Sequence, residues 1–152
     1  MRTRSAVPHD AEAISSVLRA IIAETGRDRP SDPDFVLATY ITHPDRIACT
    51  VALDEADDVV GFQSLRRAQP GNAYGAPAGW GIIGTHVAPR AERKGVGAML
   101  FEVTRQAARD AELAKIDAGI GDKNEKGLSY YEARGFRTYK TEGGLIHKVY
   151  EV

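Results

Sequence analysis

Val87-Ala88-Pro89, four residues more, and then Lys94-Gly95-Val96-Gly97-Ala98-Met99-Leu100 join an extended run to a helical one through a glycine turn. Before the turn, Trp80 to Ala88 reads as a strand. After it, Val96, Met99, Leu100, Val103 and Ala107 recur at helical spacing as one apolar stripe. A helix start leaves backbone N–H groups unpaired and carries partial positive charge. Glycine has no Cβ to keep a bulky anion away from that backbone. Each charge-assisted amide-to-phosphate bond contributes about 1.5–3 kcal/mol. Arg90, Arg93 and Lys94 add cationic charge nearby. The stretch therefore reads as a phosphate cradle.

Two better-known cradles fail here. A P-loop requires Gly-Lys-Ser/Thr after its first glycine and four spacers, and no such run exists. A dinucleotide turn requires a third glycine where this chain has Leu100. Asp117 does fall where a ribose-binding acid would, but the glycines lie well past the end of the strand.

Working outward, Arg2 to Val7 reads as a short first strand. Asp10 is placed to cap a helix carrying Ile14, Val17, Leu18, Ile21 and Ile22, with Gly26 as its stop. A second helix starts at Asp32 with Pro33 in its first turn and turns Val36, Leu37, Tyr40 and Ile41 to one side. Arg46–Leu53 and Val59–Leu65 form a hairpin across the acidic turn 54–58. Gln69 to Gly79 is rich in Gly, Pro and Asn and reads as loop. Lys115–Ile120 is a short strand. Asn124 to Arg134 is a helix stopped by Gly135, and Ile146 to Tyr150 alternates as a last strand. This order implies a mixed α/β (α+β) domain over residues 1–152. Its sheet has six to seven mostly antiparallel strands, about four helices flank it, and one parallel crossover lies near the middle.

At 152 residues and a formal net charge of −1, with the signs mixed along the chain, there is no basic stripe for nucleic acid. No apolar run reaches membrane-spanning length and no signal core follows Met1-Arg2-Thr3-Arg4, so a cytoplasmic location is expected. Cys49, the only cysteine, alternates with Ile47, Val51 and Leu53 as a buried packing thiol; a covalent acyl carrier is the other reading. His9, His43 and His147 are scattered without metal-ligand spacing, so no metal is expected.

Val87-Ala88-Pro89 with Arg93 to Leu100 resembles the acetyl-CoA motif of the GNAT superfamily of N-acetyltransferases. That motif reads Gln/Arg-x-x-Gly-x-Gly/Ala after a strand ending in Val-x-Pro. Asn124-Glu125-Lys126-Gly127-Leu128-Ser129-Tyr130-Tyr131-Glu132-Ala133-Arg134-Gly135-Phe136 resembles the same family's Asn-x-x-Ala-x-x-Phe-Tyr-Glu-x-x-Gly-Phe. Together the motifs span Trp80 to Phe136. The resemblance implies a sheet splayed between its fourth and fifth strands, with acetyl-CoA as co-substrate lodged there. It further implies direct acetyl transfer to the amine of a small molecule, and it leaves room for a homodimer, as many relatives pair.

Carried onto this sequence, the backbone around His86, Val87 and Ala88 would hold the pantetheine arm and polarise the thioester carbonyl. Arg93, Lys94, Gly95, Val96, Gly97 and Ala98 would hold the pyrophosphate. Asn124 would contact the cofactor, besides serving as a helix N-cap. Tyr131 would be the general acid that protonates the leaving thiolate, or else a packed aromatic; Tyr130 beside it is expected to pack. The base is open among His86, Asp117 and a water chain. Two positions depart from the pattern. Glu92 stands where Gln or Arg is usual, and Gly127 replaces an alanine inside a helix, at about 1 kcal/mol in propensity.

The acceptor pocket is expected among loop Gly26–Asp34, loop Gln69–Gly79 with Tyr74, Trp80 and turn Thr141–Gly144. Arg27 and Arg29 suit a carboxylate there, and Asp28, Asp32 and Asp34 an amine. An acyl-CoA-binding module without catalysis and a protein N-acetyltransferase are the competing functions.

Overall fold

The computed structural model describes residues 1–152. Its strands are β1 (Arg2–Ser5), β2 (Arg46–Leu53), β3 (Val59–Arg67), β4 (Gly81–Val87), β5 (Lys115–Gly121), β6 (Arg137–Glu142) and β7 (Leu145–Glu151). The helices are α1 (Ala11–Thr25), α2 (Pro33–Val36), α3 (Val96–Asp110) and α4 (Glu125–Ala133). All seven strands form one sheet in the order β1-β2-β3-β4-β5-β7-β6. Every neighbouring pair is antiparallel except β4 and β5, whose α3 crossover makes them parallel. They touch at two places only, Gly81 with Ile116 and Ile82 with Asp117, and then diverge. This is the mixed α/β fold with a splay between the fourth and fifth strands that the sequence led us to expect.

Alternation along the strands divides the core between the two faces of the sheet. On one face Cys49, Val51, Leu53 and Phe62 pack against Ile14, Val17 and Leu18 of α1 and against Val36, Tyr40 and Ile41. On the other, Leu65, Ile83, Ile116, Ala118 and Ile120 pack against Phe101 and Ala108 of α3 and Tyr131 of α4, with Phe136. Cys49 is a buried free thiol whose pKa burial pushes up to about 12, so it is an inert packing group.

Three local expectations are corrected. Asp10 does not cap α1. It is already helical (φ −78°, ψ −6°), so its carboxylate turns back to accept from Val7 N–H at 2.8 Å and from the two terminal Arg4 guanidinium nitrogens at 2.8 and 2.9 Å. The second helix is α for only one turn; Asp32 caps it by accepting Phe35 N–H at 3.0 Å, and Leu37–Ile41 continue as a wider π-type turn. On α3 the buried stripe is Val96, Leu100, Phe101, Thr104 and Ala108, while Val103 is 37% exposed. The stripe is rotated because Phe101 fills the space between Phe136 and Tyr150, with ring centroids at 5.6 and 5.1 Å.

This rotation makes a paired prediction. Phe101→Ala is expected to destabilise the fold by about 3–5 kcal/mol, and Val103→Ala by no more than about 0.5 kcal/mol. Urea unfolding of the two variants measures the difference, and equal losses would restore the stripe as first read.

Candidate active site at the splayed strands

The site follows from where β4 and β5 stop pairing. Ala88 N–H donates to Val60 C=O at 2.8 Å, which fixes the backbone alternation of β4. Even-numbered residues, His86 among them, turn N–H and C=O to β3; Ile83, Thr85 and Val87 turn theirs towards β5. On β5, the bond from Val152 N–H to Ala114 C=O sends the even positions to β7 and leaves Gly119 and Gly121 facing β4. Beyond Ile82 and Asp117 these facing groups have no strand opposite them. Of the backbone expected to hold an acyl-carrier arm, Val87 faces the cleft, whereas His86 and Ala88 face β3, the Ala88 N–H being given to Val60. Thr85, which the sequence reading passed over, does.

Side chains alternate too. Thr85 points to the face of α3 and α4, where its Oγ1 lies 2.8 Å from the Tyr131 hydroxyl. Gln63 of β3, directly opposite Thr85, donates to Thr85 Oγ1 at 2.8 Å and to the Tyr130 hydroxyl at 3.0 Å. Tyr130 in turn donates to Gly97 C=O at 2.6 Å. With its oxygen accepting from Gln63, the Thr85 hydroxyl is free to give its hydrogen to Tyr131. Tyr131 then has its own proton to give away. Tyr131 is 7% exposed, and burial above all raises its pKa, so it stays protonated through the neutral range. Gln63 has neither motif context nor sequence proximity to these groups, and nothing in the sequence singles it out.

The two glycines of the cradle do different work. A Cβ at Gly95 (φ +80°) would meet nothing within 4 Å, so this end of the turn is open to an incoming anion. A Cβ at Gly97 would lie 2.5 Å from Tyr130 Cε1, so here the missing side chain makes room for the Tyr130 ring. Arg93 and Lys94 are exposed beside the opening and belong to no ion pair, whereas Arg90 is drawn off to Asp54 at 3.3 Å. Glu92 is not left as a bare anion near the cradle, because Lys126 of α4 bonds it at 2.9 Å and reaches Glu24 of α1 at 3.2 Å. Asn124 caps α4, its Oδ1 accepting Gly127 N–H at 3.0 Å. A Cβ at position 127 would sit 2.6 Å from Asn124 Nδ2, so Gly127 accommodates this tightly folded cap.

His86 occupies the opposite face. It stacks on Phe62 with centroids 4.7 Å apart and meets the Tyr40 edge at 5.9 Å. Arg29 donates to the Tyr40 hydroxyl at 2.7 Å. Burial first, then Arg29 and Arg27, push the His86 imidazole down to about 3. It is neutral at physiological pH and a feeble proton acceptor, which counts against it among the three candidates for the base. Asp117, the other base candidate, accepts from Tyr139 and lies beside His147. The structure has an open groove of about 470 Å³ between Asp122 and the β6–β7 turn Thr141–Ile146. A second, of about 440 Å³, lies between the end of α1 and Ala88–Arg90. No cluster of three or more His, Cys, Asp or Glu side chains is positioned to hold a metal, and no helix is long and apolar enough to cross a membrane.

With this geometry in place, comparison with known proteins gives the class. The acetyltransferase (GNAT) family matches residues 14–136, and the chain belongs to it. It is an N-acetyltransferase by class. Among solved structures it is similar to YncA, a putative acetyltransferase from Salmonella typhimurium whose structure contains acetyl-CoA. The two are 22% identical, with a TM-score of 0.78 over 99% of this chain and 92% of that one. A GCN5-related N-acetyltransferase from Kribbella flavida is 21% identical (TM-score 0.79, 99% and 97% covered). A putative phosphinothricin N-acetyltransferase is 22% identical (TM-score 0.74, 97% and 94% covered). At these identities the similarity is one of fold. No curated protein matches the sequence.

The depressed His86 pKa makes a prediction whose sign is fixed by linkage. Below the unfolded-state value, about 6.5, the unfolded chain binds a proton that the folded chain refuses until about pH 3. Stability from this group is therefore complete above pH 6.5 and is lost as the pH falls, by at most about 1.4 kcal/mol per pH unit. His86→Gln is expected to flatten the stability curve between those limits. Urea unfolding across the range checks this, and an unchanged slope would contradict it.

Proposed function

We propose that this N-acetyltransferase moves the acetyl group of acetyl-CoA directly to the primary amine of a small, amino-acid-like molecule, with Tyr131 as general acid. The observation that carries this reading is the Gln63–Thr85–Tyr131 chain at the mouth of the splay, where a buried, protonated hydroxyl keeps its own proton to give whenever Thr85 donates to it. A thiolate leaving group has a conjugate-acid pKa of about 8.5, and a tyrosine beside it assists collapse of the tetrahedral intermediate.

The residues present fit acetyl-CoA. The open end of the turn at Gly95, with Arg93 and Lys94 free beside it, suits the pyrophosphate. The cleft-facing amides of Thr85 and Val87 suit the pantetheine arm and the thioester oxygen. Asn124, with Oδ1 committed to the cap, keeps its NH2 for the same ligand. Val96, Gly97 and Ala98 complete the helix start. Bound there, acetyl-CoA supplies the activated acyl group, and the protein supplies position, dipoles and the proton.

For the acceptor, Arg27 and Arg29 stand near His86 on the face opposite Tyr131, closely enough that their charge depresses it. Cationic groups there suit a carboxylate on the molecule that brings the amine. The chain acts in the cytoplasm on this reading.

A panel of amines with acetyl-CoA, read as thiol release, tests the proposal. Amino acids and their analogues are expected to be turned over, and Tyr131→Phe to lower kcat by about 10²–10⁴-fold with little change in acetyl-CoA affinity. Turnover only of peptides would make it a protein acetyltransferase. Tight CoA binding with no thiol release for any amine would make it a binding module.

A further inference from the structure

A second polar cluster lies on the opposite face of the splayed strands. β7 sets His147 directly across from Gly119 of β5, on the face away from α3 and α4. The ring is 1% exposed. Its Nδ1 is 3.1 Å from Asp117 Oδ1, and the same oxygen accepts from the Tyr139 hydroxyl at 2.5 Å. Since the carboxylate oxygen can only accept, Nδ1 carries the hydrogen and Nε2 presents a bare lone pair. Both Nε2 and Asp117 Oδ2 are buried without a partner.

Unpartnered buried polar atoms are costly to a fold and mark places where a ligand completes the bonding. Both of these are acceptors. What they lack is a donor with several N–H bonds, which is the chemistry of an ammonium.

Their position matters as much as their valence. Asp117 belongs to the last pair joining β5 to β4, and Gly119 is the first residue beyond it whose backbone faces the cleft. A Cβ at Gly119 would lie 3.4 Å from His147 Cε1, so the missing side chain lets the imidazole lie against β5 where the strands part. Tyr131 stands at the same splay from the other face. An acyl group held between the strands would have a proton donor on one side and this imidazole on the other.

We propose that His147, oriented by Asp117 and Tyr139, takes the proton from the acceptor amine. This rests on the acetyl-transfer reading above. The substrate ammonium gives one proton to His147 Nε2, and Asp117 stabilises the imidazolium. The neutral nitrogen attacks the thioester carbonyl carbon, forming the C–N bond. Collapse breaks the C–S bond, and the sulfur takes the Tyr131 proton. The nitrogen gives up a second proton, which restores Tyr131, and His147 returns its own to solvent. One proton is released per amide and thiol formed. His147 is the catalytic residue; Asp117 and Tyr139 position it. Nε2 is buried, and Gly75 (φ +73°) of loop 69–79 lies against the ring, an ideal Cβ there standing 3.9 Å from Cε1, so the loop must shift to admit the amine.

The charged or titratable groups around the ring are Asp117 from β5, Tyr139 from β6, and Lys140 and Glu142 at the far side of Gly75; Gly75 and Gly119 themselves bring no side chain. Burial raises the Tyr139 pKa, with Asp117 adding to it, so Tyr139 remains a donor.

The test compares two acceptors on the wild type, His147→Gln and Asp117→Asn. One is an alkylamine protonated at neutral pH; the other is a weakly basic amine of similar shape, already neutral there. With the alkylamine, kcat is expected to fall by about 10²–10⁴-fold in His147→Gln, and the rising limb of the kcat/KM–pH profile to disappear. With the neutral amine the loss should shrink to less than about tenfold, since no proton needs removing. Equal losses with both amines would overturn the proposal and leave the dyad a structural element.

A measurement on the wild type without acceptor covers the case in which a variant fails to fold. Nitrogen-15 NMR of His147 is expected to show the Nδ1–H tautomer at neutral pH, with Nε2 bare. A ring held as the Nε2–H tautomer overturns the proposal. If instead no amine is acetylated by the wild type, the acetyl-transfer reading fails, and the NMR result still decides the dyad.

Discussion

Two residue pairs hold β4 to β5, and everything at the site depends on how abruptly that pairing ends. Gly81, in the first pair, is pinched so closely that a Cβ would lie 2.8 Å from Leu113 and 2.9 Å from Leu65. The strands are clamped together at this end and forced apart at the other, where β3 draws β4 one way and β7 draws β5 the other. The cost is a row of backbone N–H and C=O groups facing a gap inside a sheet that otherwise pairs throughout. Backbone polar groups left inside a protein demand partners. A ligand with amide groups of its own can act as the missing strand, and that is why a fold with a broken sheet suits an extended acyl carrier.

The helices on one face hold the gap open and equip it. α4 sends Tyr131 to Thr85 and Tyr130 to Gly97, so one turn of helix touches both β4 and the start of α3. Gln63 ties the two tyrosines together from β3. The phenol that would donate a proton is thereby coupled to the turn that would hold a phosphate. The Lys126 bridge between Glu92 and Glu24 adds a third fastening on the surface, between α4, the cradle and α1. A glycine at position 97 is thus required by packing, since any side chain would displace the Tyr130 ring.

Much of this was legible in the sequence wherever function rests on neighbours along the chain. The glycine turn, the Asn124 cap and Tyr131 lie in two short motifs, and periodicity alone placed nearly every strand. What escaped depends on partners far apart in the chain. Glu92 looked like an unfavourable anion because Lys126, 34 residues on, joins it only in the folded chain. Gly127 looked like a flaw in a helix because propensity says nothing about a side chain folded back over its own cap. The α3 stripe was read with Val103 inward because helical spacing leaves the phase to tertiary contacts, and Phe101 claims it through Phe136 and Tyr150. His147 and Asp117 are 30 residues apart on strands that become neighbours only by the β5-β7-β6 order.

The two histidines on the same face show why residue type could not settle the base. His86 is packed among Phe62 and Tyr40 with two guanidiniums close by, an environment hostile to a second proton. His147 is more deeply set, yet it has a carboxylate at one nitrogen and a lone pair free at the other. Both carry the same imidazole with the same intrinsic affinity for a proton, and the sequence singles out His86 only because it lies on the motif strand. Their surroundings separate them. If Tyr131 is the acid on one face of the cleft, the group that is both unfilled and supported by an anion stands on the other.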